Sequence, residues 1–188
     1  MSSNYEILVE GKNNGLSVIM PVAGVRGLAV SSNTVAGDEQ ITVALSQANN
    51  PRYLGHLARA VTVAGGPTEH QLLFPDDLEY PDKIGRETTV EQPEIFSVEG
   101  TDYLEASTNP IDVNTALGSP ITFKDGKLKV AVVGDYAHLT LLGRPTVVDS
   151  DNTIRVMVQK AHPYLIGDGS SGTSGTSGTD GTSGTSGA

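Results

Sequence analysis

The residues that could carry out chemistry are few and lie far apart along the chain. It has 188 residues, no cysteine and four histidines, which excludes a thiol nucleophile, a disulfide scaffold and a cysteine-based metal site. The histidines are His56, His70, His138 and His162. None has a second histidine at the spacing of a helical metal site, and the charges of Arg52 and Arg59 beside His56 disfavour a cation. We therefore expect surface histidines, no metal site and no cofactor.

A turn-like carboxylate cluster begins at Asp149. The sequence Asp149-Ser150-Asp151-Asn152 resembles the start of a calcium loop. A complete loop needs glycine at its sixth position and glutamate at its twelfth, where this chain has Ile154 and Lys160. Turns rich in Asp and Asn are common between strands, so the turn interpretation is favoured over the calcium site.

A second group of carboxylates could serve acid–base chemistry. Its members are Asp76, Asp77, Glu79 and Asp82. Paired carboxyl groups at a controlled distance can cleave glycosidic bonds, but sugar-cleaving sites usually add aromatic platforms, and this chain is 5% aromatic with no tryptophan. Phosphate-binding glycine loops and nucleophile elbows are also absent from the sequence. We predict that the protein is not an enzyme.

Most of the negative charge lies in one segment. The net charge is −10, and residues 76–105 hold ten acids and two bases, a sum of −8. An acidic chain is a poor partner for nucleic acid, and no apolar run approaches the length of a membrane span. Because residues 76–105 are also rich in turn formers, we predict a long irregular acidic arm. Two interpretations stay open: a solvated excursion between two β halves, or an arm that lies on a partner.

The C-terminal tail keeps a strict period of three. Its register glycines are Gly169, Gly172, Gly175, Gly178, Gly181, Gly184 and Gly187. One interpretation is a flexible Gly/Ser/Thr linker. The other is a collagen-like Gly-X-Y stretch, in which three chains meet on an axis that only glycine fits. No X or Y position carries proline, so such a stalk would need a base that already holds three chains together.

The first 167 residues predict a mainly β domain, followed by the tail at 168–188. Apolar and turn-forming segments recur every 8–12 residues, as in a small sandwich or barrel. The clearest hairpin joins 121–123 to 128–133 through Asp125-Gly126, which favours a type I′ turn. Asn14-Gly15 indicates a second hairpin.

One segment predicts a short helix instead. Leu54, Leu57, Ala58 and Val61 follow the spacing of one helical face. Asn50 could cap the start of that helix, although Gly55 weakens it by about 1 kcal/mol relative to alanine.

The layout resembles that of tailed-bacteriophage capsid decoration (cement) proteins that carry a head fibre. Two stretches carry the resemblance: the β block KLKVAVVGDYAHLTLLGRPTVVDSDNTIRVMV and the repeat GSSGTSGTSGTDGTSGTSGA. The resemblance implies a homotrimer assembled in the host cytoplasm, which binds the major capsid protein lattice on the exterior of the virion and projects a fibre. We expect the capsid-facing elements to be the N-terminal segment and the acidic arm. The side chains predicted to make these contacts are Tyr5, Ile7, Val9, Leu78, Tyr80, Ile84, Ile95, Phe96 and Tyr103.

Two other functions remain open. A receptor- or glycan-binding base of a tail fibre would need a concave groove lined by aromatic side chains. The available tyrosines are Tyr53, Tyr80, Tyr103, Tyr136 and Tyr164. A secreted hydrolase would need Asp76, Asp77 and Glu79 as its acid and base.

Overall fold

A computed structural model describes residues 3–11, 15–33, 41–61 and 86–167. In this part of the chain the structure is mainly β, as the sequence predicts, with two antiparallel sheets and no helix. The strands are β1 Asn4–Val9, β2 Leu16–Met20, β3 Ala29–Ser32, β4 Val43–Leu45, β5 Tyr53–Leu57, β6 Arg86–Glu91, β7 Ile95–Glu99, β8 Pro120–Lys124, β9 Lys127–Val130, β10 Tyr136–Leu141, β11 Thr146–Val147 and β12 Ile154–Leu165.

The first sheet, sheet A, has the strand order β1-β7-β12-β10-β8-β9, with β11 also paired to β12. Its long strand β12 alternates as a half-buried strand should. Val156 and Val158 are buried, whereas Arg155 and Met157 are exposed. The buried side chains of sheet A contribute to one core, in which Phe96, Phe123 and other apolar residues pack.

The second sheet, sheet B, has the order β2-β6-β5-β3-β4. Its two edge strands approach each other, because the Ile19 amide donates to the Ile41 carbonyl at 2.8 Å and Ile19 forms a parallel bridge with Thr42. The sheet therefore curls towards a barrel around a second core. That core consists of Val18, Met20, Leu28, Val30, Val43, Leu57, Val61 and Val90.

The β8–β9 hairpin confirms the clearest turn prediction. Lys124 pairs with Lys127, which leaves Asp125 and Gly126 as a two-residue loop. Both loop residues have positive φ, 51° and 76°, as a type I′ turn requires. The tip also contacts sheet B, since the Gly126 amide donates to the Ser46 carbonyl at 2.9 Å.

The predicted helix is wrong, since residues 53–57 form strand β5. Glycine at position 55 explains the strand: a Cβ there would lie 2.2 Å from the Glu91 carbonyl oxygen on β6. Only glycine lets the two strands approach so closely. Asn50 does not cap a helix either, because its side-chain oxygen accepts the Arg52 amide at 2.8 Å in a local turn.

The predicted hairpin at Asn14-Gly15 is also wrong. Strand β1 pairs with β7 in sheet A, whereas β2 pairs with β6 in sheet B. The two strands are therefore neighbours in sequence but belong to different sheets.

The described part of the predicted acidic arm, 20 of its 30 residues, is not an irregular excursion. Within 86–105 the chain forms β6, in the middle of sheet B, and then β7, in the middle of sheet A. A three-residue connection, Gln92-Pro93-Glu94, joins the two sheets. Glu99 on β7 is buried and pairs with Arg155 at 2.8 Å, whereas Glu91 on β6 is half-buried with one carboxylate oxygen, Oε2, that has no hydrogen-bond partner. Residues 76–85 lie outside the described residues.

The position of the hairpin tip generates a prediction. Gly118→Ala and Gly126→Ala both place a side chain at positive φ, 78° and 76°, which costs about 1 kcal/mol. A Cβ at Gly118 meets nothing within 4 Å, whereas one at Gly126 would lie 2.9 Å from the Ala29 carbonyl oxygen. We therefore expect Gly126→Ala to lower the unfolding free energy by about 1 kcal/mol more than Gly118→Ala. Urea unfolding measures both, and equal losses would show that the tip does not fit tightly against sheet B.

Candidate functional site

The most concentrated group of polar and aromatic side chains lies in the buried region between the sheets. His56 on β5 and His138 on β10 are both buried, with 1% and 0% of their surfaces exposed. The prediction of surface histidines is therefore wrong for these two. It is confirmed for His162, which is exposed. His70 lies outside the described residues.

Aromatic rings connect the two histidines. The His56 ring lies 4.3 Å from the Phe96 ring, edge to face, and 5.7 Å from Tyr53. Tyr53 in turn lies 5.5 Å from His138, which stacks on Phe123 at 5.6 Å. These are the separations at which aromatic rings attract one another. We call these five residues the inter-sheet ring cluster, because β5 belongs to sheet B and the other strands to sheet A.

The hydrogen bonds of the two histidines fix their tautomers. Nδ1 of His56 lies 2.7 Å from the Gly27 carbonyl oxygen, and Nε2 of His138 lies 2.9 Å from that of Asn50. A carbonyl oxygen only accepts, so each of these nitrogens carries the proton. The remaining nitrogens, Nε2 of His56 and Nδ1 of His138, are buried without a hydrogen-bond partner. Neither ring could protonate without burying an unpaired N–H group.

Burial keeps both imidazoles neutral. It lowers the pKa of His56 to about 4, and the Gly27 carbonyl opposes that shift only in part. Burial likewise lowers the pKa of His138, against the opposing effect of the Asn50 carbonyl. These rings hold the two sheets together and have no surface from which to act on a substrate.

Tyr5 extends the cluster towards the edge of sheet A. The centre of its ring lies 5.5 Å from that of His56. The Arg26 guanidinium lies over the Tyr5 ring, 5.6 Å from the ring centre. Burial raises the pKa of the Tyr5 hydroxyl, and the Glu91 charge raises it further. The hydroxyl therefore stays protonated and unreactive at neutral pH.

The predicted capsid contacts are distributed unevenly over the structure. Tyr5 and Phe96 are core residues and offer no surface to a partner, so the expectation that their side chains face outwards is wrong. Ile7, Ile95 and Tyr103 are half-buried, and only Val9 is exposed. Leu78, Tyr80, Ile84 and the register glycines from Gly169 to Gly187 lie outside the described residues.

The described tyrosines do not line one open groove. Tyr53 is packed in the ring cluster, and the Tyr103 hydroxyl donates to the Arg26 carbonyl at 2.9 Å. Tyr164 lies exposed near the end of β12, and Tyr136 is half-buried beside it. Tyr80 is not among the described residues.

The Asp149 cluster is a turn. One carboxylate oxygen of Asp149 accepts the amides of Asp151 and Thr153 at 3.0 and 2.9 Å, and Asn152 has a φ of 58°. The carboxylate thereby closes the connection between β11 and β12. Within 3–11, 15–33, 41–61 and 86–167 no three His, Asp or Glu side chains are grouped to hold a metal ion. The same residues form no helix long and apolar enough to cross a membrane. The carboxylates of residues 76–82 are not described.

Two exposed apolar patches lie on opposite halves of β12. The stalk-end patch consists of Val132, Val133, Tyr164 and Leu165, and the far-end patch consists of Leu142, Val147 and Val148. Val147 pairs with Ile154 at the start of β12, whereas Leu165 is its last residue. Sequence analysis missed both patches, because exposure of an apolar residue depends on which strands cover it.

Comparison with family models, with curated proteins and with solved structures finds no match to this chain. A proposal on its function therefore depends on the sequence and on the geometry described above.

The neutral buried histidines predict acid sensitivity. In the unfolded chain His56 binds a proton below about pH 6.5, but in the folded protein its pKa is about 4. The unfolded state therefore gains protons first as the pH falls, and stability that is complete above pH 6.5 is lost towards pH 4. We expect the unfolding free energy to drop by about 2 kcal/mol between pH 7 and pH 5 from His56 alone, with a further loss from His138.

Variants separate this effect from general acid denaturation. His56→Gln keeps a donor for the Gly27 carbonyl and should flatten the pH dependence, while His162→Gln at an exposed position should leave it unchanged. Chemical denaturation at a series of pH values measures both. An unchanged slope in His56→Gln would contradict the assignment.

Proposed function

We propose that this protein is a homotrimeric structural protein of a tailed-phage virion, which binds the exterior of the capsid through its β domain and projects the Gly-X-Y tail as a fibre. The observation that carries the proposal is the path of β12. This strand runs within sheet A and brings the chain to the start of the tail at the opposite end from where β12 begins. A fibre-bearing cement protein needs this arrangement, because its capsid contacts and its fibre must lie at opposite ends.

Strand pairing gives the separation of the two ends. Asn4 of β1 pairs with Glu99, and Glu99 pairs with Arg155 near the start of β12. From Arg155 to Leu165 the strand advances ten residues, about 33 Å at the usual rise. The start of β1 and the origin of the tail are therefore separated by about the length of β12.

The far end offers the surface for a capsid lattice. Leu142, Val147 and Val148 are exposed there, with 42%, 49% and 38% of their surfaces accessible. Their positions follow from the backbone: the Leu142 amide donates to the Met157 carbonyl and the Val148 amide to that of Thr153, both at 2.9 Å. An exposed apolar group of this kind is a common feature of protein–protein contacts. Three copies on one lattice would multiply weak contacts through effective concentration.

The polar residues make contacts within the fold, which supports a structural role rather than catalysis. The two buried histidines bind loop carbonyls, Asp149 closes a turn, and Asp135 pairs with Lys129 at 2.7 Å. Each of these groups stabilises the described fold. The alternative of a glycan-binding fibre base receives less support, because Tyr53 and Tyr103 are engaged between the sheets.

The proposal predicts a trimer that binds expanded, undecorated phage heads. Light scattering should give a mass of about three times 19.6 kDa, and co-sedimentation with heads should saturate. The double variant Leu142→Glu with Val147→Glu should remain a folded trimer but bind heads at least about tenfold more weakly, a loss of about 1.4 kcal/mol. A monomer at all concentrations, or a trimer that no undecorated head binds, would overturn the proposal.

A test of the acidic segment must leave strands β6 and β7 intact. Deleting residues 76–105 would remove β6 and β7 from both sheets, so loss of binding in that variant would report unfolding. Replacing Asp76, Asp77, Glu79 and Asp82 by the corresponding amides tests the acidic segment without that effect.

A further inference from the structure

The stalk-end patch lies where the chain leaves the β domain. Its side chains are among the more exposed apolar ones of the described residues: Val132 40%, Val133 61%, Tyr164 48% and Leu165 55%. Backbone contacts hold the four residues close together, with Tyr164 and Leu165 on opposite faces of β12. Leu165 pairs with Tyr136 at the start of β10, the Gly134 amide donates to the Ile166 carbonyl at 2.9 Å, and the Ile166 amide donates to Asp135 at 2.8 Å. The turn that carries the two valines is thus fixed against the end of β12.

The end of β12 is poor in charged side chains. Between Lys160 and Asp168 the chain includes no Asp, Glu, Lys or Arg, although as a whole it has a net charge of −10. The nearby Asp135 is neutralised by Lys129, whose ammonium lies 2.7 Å from it and is itself largely buried. Copies of an acidic protein repel one another least where such a surface meets.

We propose that the stalk-end patch is the contact between three copies of this chain, which gathers their β domains around the origin of the tail. The inference rests on the proposed trimer and adds the surface that forms it. Leu165 precedes the first register glycine, Gly169, by four residues, which span at most about 14 Å. Three tails wound on one axis would therefore hold three such patches close to that axis, at high effective concentration.

The end of β12 has the form that a threefold contact requires. A ring of identical subunits joins two different surfaces of each copy. Tyr164 and Leu165 are consecutive in a strand, so their side chains point to opposite faces, and both are exposed. One face of each copy can then meet the other face of the next. Pro163 lies in the same stretch and lacks an amide hydrogen, which disfavours assembly by strand addition.

Such a contact would also compensate for the lack of proline in the tail. A Gly-X-Y stretch without proline has no residue that presets the polyproline conformation. A base that already holds three chains in register lowers the entropic cost of starting the stalk.

Two matched double variants of the full chain test the patch. Val133→Glu with Leu165→Glu alters the stalk end, and Leu142→Glu with Val147→Glu alters the far end by the same charge. Sedimentation equilibrium over a range of concentrations should give a trimer for the natural chain and for the far-end variant. The stalk-end variant should dissociate at a concentration at least about tenfold higher than the natural chain does.

A second measurement does not depend on destabilising the contact. The chain has no cysteine, so Tyr164→Cys with Leu165→Cys introduces one thiol on each of the two faces that would meet. Under mild oxidation the two thiols should link neighbouring copies covalently, whereas Leu142→Cys with Val147→Cys at the far end should not.

The outcomes distinguish the inference from the proposed function. The contact would be overturned, and the trimeric function left in place, if the stalk-end variant stayed as firmly trimeric as the far-end variant. Failure of Tyr164→Cys with Leu165→Cys to cross-link the trimer would overturn it in the same way. A monomeric natural chain would overturn both. A stable trimer that fails to bind heads would remove the capsid function, and the inference would stand on the cross-link and the mass.

Discussion

The fold depends on the contact between the β8–β9 hairpin tip and sheet B. Three backbone hydrogen bonds join Gly126, Ser46 and Ala29 in a ring, at 2.9 to 3.0 Å. The side chain of Gln47 adds a bond of 2.7 Å to Asp125. A turn normally leaves its amides to solvent, but here they satisfy groups on the other sheet. Because glycine has no Cβ, the tip can approach the Ala29 carbonyl closely enough to form this ring.

Once the sheets meet at the tip, the space between them must be filled. The inter-sheet ring cluster fills it with flat rings, which pack densely while each histidine satisfies a loop carbonyl, Gly27 or Asn50. The cost is one buried imidazole nitrogen per ring without a partner. A wholly apolar interface would avoid that cost but would leave the two carbonyls unpaired. Stability and acid sensitivity therefore come from the same contacts.

The sequence predicts the parts of this fold that local chemistry decides. Asp125-Gly126 defines its turn, because positive φ at two successive residues is a local requirement. Strand β5 could not be recognised, since its decisive feature is the approach of Glu91 on β6 to Gly55. The sequence could not predict the burial of His138 either, because that residue lies at a register shift between β10 and β12. The two strands within 86–105 were hidden by their acidic residues, because the sequence does not show that Glu99 is buried and paired with Arg155, 56 positions away.

The register of β12 against its neighbours gives the molecule two unlike ends. Strand β7 pairs with β12 only from Arg155 to Gln159, whereas β10 continues beside it to Leu165. The half of β12 that β7 covers carries the Glu99–Arg155 ion pair, whereas the last five residues of the strand, 161–165, include no Asp, Glu, Lys or Arg. In the proposed trimer this end of β12 would be covered, because three tails on one axis would bring these surfaces together and the surfaces would in turn align the tails. The short β7 strand leaves the end of β12 uncovered on one side, and the proposed trimer would use that side for assembly.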